Sequence, residues 1–144
     1  MPVVAISGGF DPIHAGHIDY IREAQTLGKL LVILNTDEWL IEKKGNYFMD
    51  YETRKYILEN IKGVWKVVPQ IDTDMSVSKS LEYYKPDIFA KGGDRGPENI
   101  PEYETCERFG IEMKFNIGKD PVKGNKYQSS SWILERWVKL NMEK

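Results

Sequence analysis

Two histidines stand three residues apart in the segment Gly8-Gly9-Phe10-Asp11-Pro12-Ile13-His14-Ala15-Gly16-His17. At a helix start, residues three apart project to one side. That is also where a helix offers free N–H groups and the positive end of its dipole. Imidazolium or neutral imidazole N–H donors placed there suit charge growing on a phosphoryl group and on a departing pyrophosphate. Gly8 and Gly9 let the backbone approach a ligand closely, and Gly16 keeps the surface between His14 and His17 bare. No protein nucleophile is needed if the acceptor's own phosphate attacks. Two other readings of such a pair stay open: a partial metal site with Asp11, or plain cap and surface residues. The context favours phosphate chemistry: strand, Gly-Gly, aromatic, Asp-Pro, then H-x-G-H opening a helix. The chain has neither a Walker A loop nor G-x-G-x-x-G, which disfavours a P-loop NTPase and an NAD enzyme.

These residues need a frame. Short apolar runs at Pro2–Ser7, Leu30–Asn35, Val64–Val68, Asp87–Ala90 and Ile111–Phe115 read as five buried strands. Between and after them, helices are expected over His14–Leu27, Asp50–Ile61, Val77–Tyr84, Pro101–Phe109 and Ser129–Leu140. Alternation of this kind predicts an α/β, Rossmann-like, doubly wound five-stranded parallel sheet with helices on both faces, over residues 1–144 as one domain. Ligands of such sheets sit at the carboxyl ends of the strands. The loops to watch are therefore Gly8–Gly16, Thr36–Tyr47, Lys91–Asn99 and Gly118–Gln128.

Composition narrows the partners. The net charge is −2, so no global basic field recruits nucleic acid or an anionic membrane. No apolar run approaches a membrane span, and no signal peptide is visible. The single cysteine, Cys106, can form neither an internal disulfide nor a cysteine metal cluster. A half-buried helical thiol in a reducing, cytoplasmic compartment is expected.

The segment around the histidines resembles the H-x-G-H motif of the nucleotidylyltransferase superfamily, and G-G-F-D-P-I-H fits its flanks. The superfamily includes cytidylyltransferases and small-molecule adenylyltransferases. The resemblance extends along nearly the whole chain. It implies that His14, His17 and Lys43 serve catalysis, Lys43 lying where the family uses a lysine on the triphosphate. It implies nucleotide contacts from Gly8, Gly9, Phe10, Asp11 and Gly16. Tyr51-Glu52-Thr53-Arg54 resembles an element whose arginine reaches toward the active site; a surface pair of Asp50 with Arg54 is the plainer reading. Lys91-Gly92-Gly93-Asp94 is similar to a segment of ADP-heptose synthase adenylyltransferase domains, which implies Lys91, Gly92 and Asp94 as nucleotide contacts. Ser129, Ser130 and Ser131 open the last helix, where hydroxyls and free N–H groups make an anion site or simple caps. The family's R-T-E-G is absent; Gly124-Asn125-Lys126-Tyr127 stands there, leaving Lys123 or Lys126 to substitute.

The expected reaction is transfer of a nucleoside monophosphate from an NTP to a phosphorylated small molecule, with pyrophosphate released. Mg²⁺, held mainly by the NTP phosphates, is the expected cofactor. The K-G-G-D segment tilts the reading to ATP with a sugar phosphate of the heptose 1-phosphate type. The alternative is CTP with glycerol 3-phosphate or another alcohol phosphate. A non-catalytic nucleotide-binding module and a flavodoxin-like redox module are readings of other classes. A homodimer is expected by analogy with the resembling enzymes.

Overall fold

In the computed structural model, residues 1–92, 100–118 and 130–142 are described. Five strands form one parallel sheet: β1 (Val3–Gly8), β2 (Lys29–Leu34), β3 (Val64–Pro69), β4 (Ile88–Gly92) and β5 (Glu112–Ile117). The spatial order is β3-β2-β1-β4-β5, and all four pairings are parallel. Order therefore reverses between β1 and β4, which opens a crevice at their carboxyl ends. The helices are α1 (Ala15–Gln25), α2 (Asp37–Lys44), α3 (Tyr51–Glu59), α4 (Ser78–Tyr84), α5 (Tyr103–Phe109) and α6 (Ser130–Met142).

Both faces of the sheet are covered, and the alternation of strand side chains divides the core in two. Val4, Ile6, Leu30, Val32, Leu34, Ile88 and Ala90 pack with Ile21 and Ala24 of α1 and Leu58 of α3. The intervening Ala5, Leu31, Ile33 and Phe89 pack with Leu81 of α4 and Cys106 of α5. This is why the central strands read as unbroken apolar runs. Cys106 is fully buried rather than half-buried, and burial, helped by Glu102, pushes its thiol up to about 11. Among the described residues, no helix is long and apolar enough to cross a membrane.

One element departs from expectation. The stretch 36–47, expected as a loop, holds α2. Thr36 caps it by accepting from the Trp39 N–H at 3.1 Å. Asp37 and Glu38 stand at its positive end, Lys43 and Lys44 at its negative end. Gly45 closes it in the left-handed region at φ 93°, where glycine meets no Cβ penalty. A helix this short has little apolar periodicity, so only its cap residues announced it.

Candidate active site

The chain leaves β1 through Gly8 and Gly9 and turns at Phe10, a buried residue at φ 51°. A left-handed non-glycine backbone costs on the order of 1 kcal/mol; the packed Phe10 ring, 4.8 Å from the His17 ring, holds it there. A Cβ on Gly9 would press on Leu40 at 3.3 Å, so glycine lets α2 close over the loop.

His14 is the N-cap of α1, which realises the plainer reading of this residue. Its Nδ1 accepts from the Gly16 N–H at 3.1 Å. In return His17 Nδ1 accepts from the His14 N–H, also at 3.1 Å. The two rings stack with centroids 3.8 Å apart. Capping does not exclude chemistry here. An imidazole nitrogen that accepts from a backbone N–H carries no proton, so the neutral ring's hydrogen is on Nε2. Each neutral histidine thus keeps one N–H donor, at Nε2, in a fixed tautomer. Burial lowers His14, and burial followed by the charges of His14 and Lys44 lowers His17 to about 3. Near pH 7 the pair consists of neutral donors, not imidazolium ions.

A cavity of about 510 Å³ lies against this turn, lined by Gly9, Phe10, Asp11, His17, Ser130 and Ser131 among the expected residues. Leu40, Lys44, the loop 45–48 and three residues of α6, Leu134, Glu135 and Val138, complete it. Ser130 joins the two sides, its Oγ donating to the Pro12 carbonyl at 2.8 Å.

Several expected contacts are placed differently. Lys44, not Lys43, lines the cavity. Residues one apart on a helix diverge by about 100°, whereas those four apart share a face. Leu40 and Lys44 face the cavity. Trp39 and Lys43 face the loop after β3, where Trp39 Nε1 donates to the Asp74 carbonyl at 2.6 Å. There Ser76, through its N–H and hydroxyl, and beyond it Lys79 and Lys43 hold Asp74 below its ordinary value. Arg54 is neither a surface partner of Asp50 nor an exposed ligand; it is 1% exposed. Its Nε donates to the Met49 carbonyl, Nη1 to the Gly9 and Asn35 carbonyls, and Nη2 to Asp37. The guanidinium braces the floor of the site from below. Asp11 is likewise committed: its two oxygens accept from the N–H groups of Phe48 and Met49 at 2.6 and 2.7 Å.

Lys91, at the end of β4, lies 3.9 Å from buried Glu102, and Gly92 pairs with Ile117. Neither Lys91, Gly92, Gly8, Gly16 nor His14 lines the cavity itself. Asp94 and Ser129 lie outside the described residues, as do Lys123 and Lys126. Among the described residues no group of three His, Cys, Asp or Glu side chains could hold a metal ion.

A family profile described as cytidylyltransferase-like matches residues 5–130. The chain is 37% identical over 112 residues to the bifunctional protein HldE of Pelobacter propionicus, covering 75% of this chain and 22% of that protein. It is 33% identical over 141 residues to the FAD synthase of Ferroglobus placidus, covering 97% and 90% of the two chains. It is 30% identical over 128 residues to the glycerol-3-phosphate cytidylyltransferase of Staphylococcus aureus, covering 88% and 96%. The chain spans about a quarter of the length of the HldE proteins it matches. Among solved structures it resembles the lipopolysaccharide core biosynthesis protein of Thermoplasma volcanium GSS1. The TM-score is 0.65 at 28% identity, with 80% of this chain and 93% of that one covered. With a matching profile over most of its length and relatives of this kind, the chain belongs to the cytidylyltransferase-like family of nucleotidyltransferases.

Proposed function

We propose that this protein transfers a nucleoside monophosphate from ATP, in preference to CTP, to the phosphate of a small molecule and releases pyrophosphate. The observation that carries the reading is the paired neutral imidazoles, each fixed in one tautomer by the cap of α1, beside a cavity that also holds Lys44 and the first turn of α6. The acceptor's phosphate oxygen attacks the α-phosphorus in line. A new P–O bond forms as the bond between the α-phosphorus and its bridging oxygen breaks, and the electron pair leaves with pyrophosphate. His17 and His14 donate from Nε2 to the oxygens that gain charge, Lys44 supplies a positive charge, and the positive end of the α6 dipole lies toward the phosphates. Neutral donors suit this task because they need no proton transfer in the step. Mg²⁺, when bound to the phosphates, would offset charge on the leaving group.

The expectations of a heptose-type sugar phosphate with ATP, and of glycerol 3-phosphate with CTP, rest on loops after β4 and β5, largely outside the described residues. Relatives named for HldE, FAD synthase and glycerol-3-phosphate cytidylyltransferase differ in what those names say they make. The test is a pyrophosphate-release panel of four NTPs against sugar phosphates, alcohol phosphates and mononucleotides. His14→Ala and His17→Ala should each lower kcat by about 10²–10³, on the order of 3–4 kcal/mol. Turnover near wild type in either variant removes that histidine from the mechanism. Calorimetric CTP binding tenfold tighter than ATP would reverse the nucleotide preference alone.

A further inference from the structure

We infer that Tyr20 is a positioning residue for the nucleotide, assisted by Glu23; this rests on the transfer reading above. In an open parallel sheet, ligands enter the crevice where the strand order reverses, at the carboxyl ends of the strands. Here that point lies between β1 and β4. These two strands are in register only at Val4 with Ile88 and Ala5 with Phe89. Beyond them β1 continues to Gly8, paired with β2, and β4 continues to Gly92, paired with β5. The sheet is therefore unzipped there, with residues 6–8 on one lip and 90–92 on the other.

The Tyr20 hydroxyl spans this opening. It donates to the Ala90 carbonyl. Burial raises the phenol above its ordinary pKa, and a backbone hydrogen bond from Ser7 pulls the other way. One oxygen thus joins both lips and replaces a direct bond between the strands. Two further contacts set the end of β5 on the same helix. The Gly118 N–H donates to the Glu23 carboxylate at 2.6 Å. Gly118 has φ 80°, and a Cβ there would stand 2.5 Å from the Tyr20 Cα, so glycine lets this turn lie flat on α1. A Cβ on Gly92 would come within 3.8 Å of the Tyr20 ring. Tyr20 follows His17 by three residues, about 4.5 Å along one face of the helix. One helix therefore carries the histidine pair at its start and, a turn or two later, the gauge for the ends of β4 and β5. Tyr20 is not among the residues lining the cavity; it acts through the backbone of both lips. Removing its hydroxyl takes a donor from the Ala90 carbonyl and removes the oxygen that fixes the width of the crevice. The histidines stay capped on α1, so the effect falls on nucleotide binding rather than on the chemical step.

The test uses the full chain with Mg²⁺. ATP and CTP are titrated by calorimetry into wild type and Tyr20→Phe, and pyrophosphate release is followed with the best acceptor of the panel above. Tyr20→Phe should weaken binding of the preferred nucleotide and raise its KM by about fivefold or more, with kcat within about twofold of wild type. Glu23→Ala, at an exposed position, should move KM the same way. Glu23→Gln, which keeps an oxygen for the Gly118 N–H, should stay near wild type. A tyrosine with a structural role alone would lower Tm and leave Kd and KM unchanged well below Tm, and that result overturns the inference. So does a fall in kcat with KM unchanged. If Tyr20→Phe does not fold, the Glu23 pair decides, and a wild-type KM in Glu23→Ala overturns the inference. Absence of pyrophosphate from wild type with every NTP and acceptor overturns the transfer reading. The titrations then still decide this inference, which falls if wild type binds neither nucleotide.

Discussion

Replacing Arg54 distinguishes a brace from a ligand. Its side chain is fully buried, and four N–H donations tie together the turn after β1, the end of β2, the loop before α3 and Asp37 of α2. Arg54→Ala would strip three backbone carbonyls of a partner and leave Asp37 unpaired. Breaking a buried ion pair from one side costs about 3–5 kcal/mol. Asp37 is 25% exposed, so water recovers part of its loss, but the vacated volume adds a cavity term. An overall loss of about 4 kcal/mol is expected, a large part of the roughly 5–15 kcal/mol available to a domain. At about 2–4 °C per kcal/mol, Tm should fall by roughly 8–16 °C. Urea unfolding followed by far-ultraviolet circular dichroism measures this. An Asp37→Asn, Arg54→Ala cycle should show coupling on the order of 1–3 kcal/mol. The reasoning fails if Arg54→Ala loses under about 1 kcal/mol while ATP binding collapses, because Arg54 would then be spending its charge on the ligand.

Lys44→Ala should weaken turnover with ATP by at least tenfold, whereas Lys43→Ala should change it less than about twofold; steady-state kinetics on both variants checks which face of α2 works, and the opposite ranking refutes the cavity assignment. Stability should fall as the pH drops from about 6.5 toward 3, because the unfolded chain protonates His17 there while the folded chain, with His17 lowered to about 3, does not. The ceiling from this one group is about 5 kcal/mol, it is absent above pH 6.5 where both states are neutral, and urea midpoints across that range should be flatter in His17→Asn. A homodimer is expected because Trp137 and Leu140 lie exposed on a side of α6 away from the cavity, at 60% and 43%; a monomer by light scattering at high micromolar concentration would remove it.

Much of this protein is written in local sequence. Apolar runs such as Leu30–Leu34 could only be strands buried on both faces, because every side chain needed a dry neighbour. The alternation of such runs with helical periods determined a doubly wound parallel sheet. The motif around His14 and His17 was legible as a glycine turn opening a helix, since glycines and a helix start are themselves local features. Tertiary structure decided what each charge is spent on. Arg54 and Asp11 look available in sequence, yet the fold surrounds one with carbonyls and gives the other two N–H groups. Lys43 and Lys44 are neighbours in sequence, but a 100° step on α2, set once Leu40 packs against Gly9, sends only Lys44 to the site. The cavity lining brings Phe48 together with Leu134 and Val138, some ninety positions away. Only closure of α6 onto Pro12 brings them together, because packing over that distance depends on the whole sheet rather than on any local pattern.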